Sequence, residues 1–195
     1  MKQTKKAELA IPEFKQKNIK DPVKYMKAAF RKNGKKYTTF LKGMTRRKLT
    51  GVDSVAVTLN KKAFKAIDCL SCANCCKTMS PTYNKADVKR IAKHLGMSFN
   101  QYHEKYLYKD ESGDYMNKKE PCQFLRKDNK CSIYPVRPRD CSGFPHTHNR
   151  DFKLFIAQTH IQNIEYCPAT MYIVENMFDL VIEKKQVNMR GSMVK

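Results

Sequence analysis

The sequence predicts an α+β fold, mainly helical, with a small irregular antiparallel sheet and cysteine-rich loops. Three observations lead there. Apolar residues recur at helical spacing in several long stretches, short strand-like segments are cut apart by turn residues, and eight cysteines crowd into the middle and end of the chain. With 195 residues, 41% of them hydrophobic, the chain is long enough to bury a core without depending on cross-links.

The elements follow in order. Residues 1–62 carry 18 Lys/Arg against 4 Asp/Glu and no cysteine, which marks a basic N-terminal region. The first residues are polar and are expected to be disordered. "DPVKYMKAAFRKNG" predicts a helix with Asp21 as cap, Pro22 as first residue and Gly34 as stop, and with Val23, Met26, Ala29 and Phe30 on one face. "DSVAVTL" alternates and is rich in β-branched residues, predicting a short strand. Residues 63–195 form the expected cysteine-bearing domain. Within it, Asn84 caps a helix carrying Val88, Ile91, Ala92 and Leu95 and ended by Gly96. Ser98 and Gln101 then make a capping box for a second helix that turns Phe99, Tyr102 and Tyr106 inward. The turns "ESGD", "KKEP" and "RKDNK" separate "YMN", "CQFL" and "CSIY", predicting the small sheet. "PATMYIVENMFDLVIEKK" reads as a final helix from Pro168, with Val174, Phe178, Val181 and Ile182 apolar.

Charge and hydropathy bound the function. Lys and Arg number 39 and Asp and Glu 18, a formal net charge of +21. Neither a signal-peptide-like apolar run nor a stretch near the roughly 18 residues of a membrane span is present, so a cytoplasmic protein without a membrane partner is expected. In that compartment thiols stay reduced, which weighs against disulfides.

The cysteines carry the chemistry. Cys69, Cys72, Cys75 and Cys76 follow the pattern C-x2-C-x2-C-C, and Cys122, Cys131, Cys141 and Cys167 come later. Thiolates this dense converge from one tight loop, where main-chain amides can point at sulfur and stabilise its charge. A metal or cluster is favoured over a thiol redox pair or simple packing. Four thiolates suit zinc, while C-x2-C-x2-C with a remote Cys-Pro, here Cys167–Pro168, suits an iron–sulfur cluster, and iron–sulfur is preferred. The loops are thus expected to be organised around a metal centre. Adjacent Cys75 and Cys76 diverge, so they serve different centres, or one binds and the other packs. Eight thiols allow two centres, or one with cysteines left over.

Around these sit further candidates. Arg137, between Cys131 and Cys141, can neutralise an anionic centre through fixed hydrogen bonds; the alternative is a solvated charge. Tyr134 is expected to pack against the centre. His146 and His148, two apart in an extended segment, would point the same way as bases or as a supplementary metal pair, or serve as ordinary loop residues. His94, His103 and His160 matter less, and the ten methionines fit helix faces.

"CLSCANCC", Pro121–Cys122, "CSIYPVRPRDCSGFP" and the late Cys-Pro together resemble the CxxCxxCC (YkgJ-like) cysteine-cluster family of zinc- or iron-chelating proteins, which includes flagellin lysine N-methylases. The resemblance covers roughly residues 66–170 and implies a cysteine-bound iron–sulfur centre, provisionally [4Fe–4S], with zinc as the alternative. Its methylase members imply S-adenosylmethionine as a methyl donor for protein lysines. The seven glycines are scattered and make no nucleotide loop. A different class of function follows from "KNGKKYTTFLKGMTRRK", where cations alternate with Tyr37, Phe40 and Leu41 as on phosphate-contacting and base-stacking surfaces. Nucleic acid through the basic N-terminal region, or an unidentified protein or redox partner, is the expected company.

Overall fold

The computed structural model describes residues 18–46, 51–148 and 152–183. Along the chain run α1 (Pro22–Arg46), α2 (Val52–Ala66), the short helices α3 (Cys69–Cys72) and α4 (Asn74–Thr78), α5 (Lys85–His94) and α6 (Phe99–Tyr106). Strands β1 (Leu107–Lys109) and β2 (Tyr115–Asn117), a 3₁₀ turn (Tyr134–Val136) and α7 (Arg139–Gly143) follow. The chain ends in α8 (Phe152–Phe155), a π-helical turn (Ile156–His160), α9 (Ile161–Tyr166), α10 (Pro168–Phe178) and a second π-helical turn (Asp179–Glu183). The result is mainly helical with a two-stranded antiparallel sheet, the α+β class. Among the described residues, no helix is long and apolar enough to cross a membrane.

The elements group into two compact units. One joins the chain up to Ile67 with Pro145 onward, and the other is Asp68–Phe144. The expected boundary at residues 62/63 falls inside α2, and the C-terminal helix packs with the N-terminal helices.

In the first unit α1 starts as expected, with Asp21 Oδ1 accepting the Lys24 N–H at 2.9 Å and Pro22 in first place. Gly34 does not stop it. The helix runs on to Arg46, and Gly34 is buried, where a Cβ would lie 3.0 Å from the Phe30 ring. This glycine admits an aromatic side chain one turn back instead of ending the helix. Its buried stripe is Met26, Gly34, Tyr37, Phe40, Leu41 and Met44. The predicted strand at Asp53–Leu59 is also overturned, because it lies inside α2. There Val52, Val55, Ala56, Leu59 and Ala63 are buried at helical spacing, and burial outweighs β-branched preference. α10 is apolar almost all round, since ten of its eleven residues are buried. It packs on α1, α2 and α9, with Phe178 against the rings of Tyr37 and Phe40 at 5.6 and 5.2 Å. The expectations for the first residues and for Arg47 and Lys48 fall outside the described residues.

The second unit has its own core of Tyr83, Val88, Ile91, Ala92, Tyr102, Leu107, Phe124 and Ile133. Both expected caps form. Asn84 and Asp87 exchange hydrogen bonds at the start of α5, and Ser98 and Gln101 do so at α6. Gly96 at φ 67 supplies the left-handed residue after α5. β1 pairs with β2 in the register Leu107↔Asn117 to Lys109↔Tyr115, so "YMN" is a strand as expected. "CQFL" and "CSIY" contribute only the bridge Leu125↔Cys131, and the second segment passes into the 3₁₀ turn at Tyr134–Val136.

Asp87 ties this unit together. It is 1% exposed, caps α5, pairs with Arg90 at 2.7 Å and accepts the Arg139 N–H at 3.2 Å. Removing it leaves buried donors without an acceptor. Asp87→Ala is expected to cost about 2–3 kcal/mol, read as a lower urea midpoint, with Asp87→Asn losing less. A midpoint unchanged by alanine would show that these bonds do not hold the unit.

Candidate metal centre

The first cysteine group is built on two helical turns that bend at one residue. Asp68 caps α3 by accepting from Leu70 N–H at 3.0 Å and from the Ser71 hydroxyl, which hold its carboxyl below the usual range. Ala73 then adopts φ 47, a left-handed conformation costly for a side chain, and α4 starts in a new direction. The bend spreads Cys69 and Cys72 along one turn and Cys75 and Cys76 along the next.

The second group comes from a tight turn. Arg126 N–H bonds Lys130 O at 2.9 Å and Ser132 N–H bonds Phe124 O at 2.8 Å, with Asn129 at φ 63 closing the bend. This brings Cys122 and Cys131 together. Two bonds lock the turn to the first group: Cys122 N–H donates to Cys76 O at 2.8 Å, and Asn129 Nδ2 donates to Ser71 O at 3.1 Å. Cys141 arrives on α7, whose first residue is fixed by Asp87, while Thr82 N–H reaches Asp140 Oδ2 at 3.1 Å.

The thiols of Cys76, Cys122, Cys131 and Cys141 therefore lie within range of one another's charge. Cys141 feels it most: burial pushes its thiol up strongly, and Cys76, Asp140, Cys122 and Cys131 push further. Cys122 and Cys131 are also raised, first by burial and then by neighbouring sulfur. Main-chain amides oppose this. Phe124 N–H faces the Cys122 sulfur and Ile133 N–H faces the Cys131 sulfur, each two residues beyond its cysteine. Asn117 also favours the Cys122 thiolate. Its Nδ2 is buried with no geometrically complete hydrogen bond, and its Oδ1 is occupied by Tyr83 OH at 2.6 Å and Gln123 Nε2 at 2.9 Å. We read that amide as directed to sulfur. Cys76 goes the other way, lowered to about 7 chiefly by a hydrogen bond from Cys75 and helped by Lys77. Cys75 thus supports Cys76, while the group of four is completed by distant thiols.

Arg137 lies where a cation is useful. Its charge, with that of Arg126, lowers the Cys131 thiol. Its guanidinium stacks 3.8 Å above the Tyr134 ring and donates to Tyr134 O at 2.8 Å. Tyr134 is 42% exposed and supports the arginine.

The remaining candidates are placed differently. Cys69 is exposed, and Cys72 and Cys75 are partly buried in the same unit. Cys167 is buried at the start of α10 in the other unit, and His146 and His148 lie in a loop of that unit. The two histidines do not share a face. His146, at φ 64, is partly buried and stacks on Phe155 at 5.9 Å, whereas His148 is exposed. The left-handed residue breaks the extended geometry on which their pairing depended. Asp87, Asn117 and the amides of Phe124 and Ile133 were missed by sequence reasoning. Main-chain donors leave no mark in side-chain identity, and of this arrangement only the turn at "RKDNK" was legible.

Among the described residues, no three His, Cys, Asp or Glu side chains stand in an arrangement that would hold a metal ion without rearrangement. The donor chemistry fits nonetheless: four partly buried thiols, amide donors to two sulfurs and nearby guanidinium groups are what thiolate ligation requires.

A small α+β unit with such a thiol group defines a cysteine-based chelating domain. The chain belongs to the CxxCxxCC family, described as a "putative zinc- or iron-chelating domain", whose pattern matches residues 68–168. It is also similar to an uncharacterized protein of Methanocaldococcus jannaschii, 33% identical over 85 residues. That alignment covers 42% of this chain and 46% of the relative, so the chain spans about half the length of the curated relative it matches. No solved structure matches.

The electrostatics make one prediction for the metal-free protein. Thiolate is the reactive form, so at about pH 7.5 Cys76 should be alkylated by iodoacetamide faster than Cys122, Cys131 or Cys141. Its rate should rise through about pH 7. Peptide mapping by mass spectrometry gives the order, and Cys141 reacting before Cys76 would contradict it.

Proposed function

We propose that the protein carries a cysteine-ligated iron–sulfur cluster, provisionally [4Fe–4S], held by Cys76, Cys122, Cys131 and Cys141, and that it works in redox or modification chemistry inside the cell. The grouping of those four thiols carries this reading, supported by the amides of Phe124 and Ile133. When bound, such a cluster supplies one-electron chemistry, and its potential follows from net charge, hydrogen bonds to sulfur and exposure. This chain's residues set those terms. The two amides and Asn117 remove electron density from Cys122 and Cys131, and Arg137 and Arg126 offset negative charge at Cys131. Burial of Cys122 and Cys131 against Phe124 and Ile133 limits water. The family is zinc- or iron-chelating and four thiolates suit both metals, so zinc at the same four residues is the second reading.

Anaerobic purification with iron, sulfide and zinc analysis tests the metal. Brown protein with broad visible absorption and matching iron and sulfide is expected; one zinc per chain without sulfide would replace the cluster by zinc. Serine at Cys76, Cys122, Cys131 or Cys141 should cost at least the roughly tenfold in metal affinity that loss of an outer-shell partner does. Full metal content in any of these variants removes that residue from the ligand set. Zinc titration of the metal-free protein at about pH 7.5 should release about three protons, because Cys122, Cys131 and Cys141 begin protonated. Release of fewer than about two would show that these thiols are not the donors.

A further inference from the structure

The exposed side of α1 is the least explained feature of the molecule. Between Pro22 and Arg46 the helix carries eight Lys/Arg and no Asp/Glu, whereas the whole cysteine unit, Asp68–Phe144, has fourteen Lys/Arg against nine Asp/Glu. At 3.6 residues per turn, Lys24, Lys27, Arg31, Lys35, Lys42 and Arg46 fall within an arc of about 100° over a length of about 33 Å. All six are exposed, and the arc is centred about 130° around the helix from the buried stripe of Met26 to Met44. Among the described residues, none of the six takes part in an ion pair. The pairs Lys27–Arg31, Arg31–Lys35 and Lys42–Arg46 are four apart, a spacing at which like charges destabilise a helix. A surface selected only for solubility would intersperse glutamates; this one accepts repulsion along its length.

We propose that this face of α1 binds the sugar–phosphate backbone of a duplex nucleic acid. Three features choose that partner. A straight row with a cation at most turns complements a stiff polymer bearing one charge per roughly 1.7 Å of its axis. An exposed α-helix fits the roughly 12 Å major groove of B-form DNA, between its two lines of phosphates. The aromatics that interleave with the cations in sequence, Tyr37 and Phe40, are buried against Phe178, so they offer no stacking platform for unpaired bases. The face therefore reads backbone charge and not base identity.

The test uses the full chain as purified and a fluorescent 24-base-pair DNA duplex, with binding followed by anisotropy across a salt series. The triple variant Lys27→Gln, Arg31→Gln, Lys35→Gln should lower the log–log salt slope by about 2–3 and the affinity near about 0.1 M salt at least about tenfold. Lys85→Gln, Lys89→Gln, Lys93→Gln on α5 removes the same charge from exposed positions of the other unit and should change affinity less than about twofold. Glutamine keeps helix propensity, and circular dichroism with thermal melting checks the fold. Should α1 be disturbed, replacement of Lys24, Lys27 and Lys35 by arginine, which should retain binding, keeps the question decidable. Equal losses from the two glutamine triples would assign binding to the general charge excess and overturn the proposal. So would tighter binding of a single-stranded oligonucleotide, or displacement of the duplex by polyglutamate of matched charge, which would point to an acidic protein.

Discussion

Sulfur atoms meant to share an ion must first be brought near one another without it, and that approach opposes itself. Each thiolate raises the cost of ionising the next, and burial adds to it, which is why Cys122, Cys131 and Cys141 are all raised. The arrangement depends on bonds indifferent to the protonation state of sulfur. Cys122 N–H to Cys76 O, Asn129 Nδ2 to Ser71 O and Arg139 N–H to Asp87 supply them, so three separate segments are positioned by main chain, carboxamide and carboxylate before any metal acts. A cation reverses the sign of the remaining terms: sulfur charges that repelled one another become ligands. Metal binding then adds directly to the stability of the loops it joins.

The aromatic core beneath the thiols has a matching electrostatic role. Tyr83 and Tyr102 are pushed up by burial and by neighbouring charge, so their phenols stay neutral and add no anion beside the cysteines. Tyr83 spends its hydroxyl on Asn117, whose carboxamide is thereby oriented toward Cys122. Packing and ligand chemistry meet in one chain of contacts, from the core through Tyr83 and Asn117 to sulfur. Of the four grouped thiols Cys76 alone is lowered, because its neighbour Cys75 donates to it. The doubled cysteine at the end of the motif acquires a physical reason from this: one thiol of the pair readies the other.

Local signals were legible in the sequence, and tertiary ones were not. Asp21–Pro22, the Asn84 cap and the Ser98–Gln101 box are short-range chemistry, in which a side chain bonds a backbone group three residues away, and each appears where expected. Gly34 and α2 misled for a common reason. A glycine and a β-branched run have weak intrinsic preferences, which a ring packed one turn back or a buried stripe reverses. The cysteines announced their chemistry but not their partition. Which four approach one another depends on a turn, a left-handed alanine and a buried aspartate, each defined by contacts made far along the chain.

The helical unit poses a separate problem of balance. A helix that presents an unbroken row of cations on one side must be held firmly by the other, and α1 is anchored by both aromatic and polar means. Tyr37 and Phe40 close on Phe178, Lys36 lies 4.1 Å above the same ring, and Tyr25 OH donates to Glu175 at 2.6 Å. Glu175 is the one residue of α10 that is not buried, so the otherwise apolar helix spends its single carboxylate on the inner edge of α1 and leaves the outer cations to solvent. Had a carboxylate been placed on the outer arc, it would have relieved repulsion within α1 more directly. Its use on the inner edge keeps the exposed arc of one sign, which makes the charge of that arc a property of the folded helix as a whole.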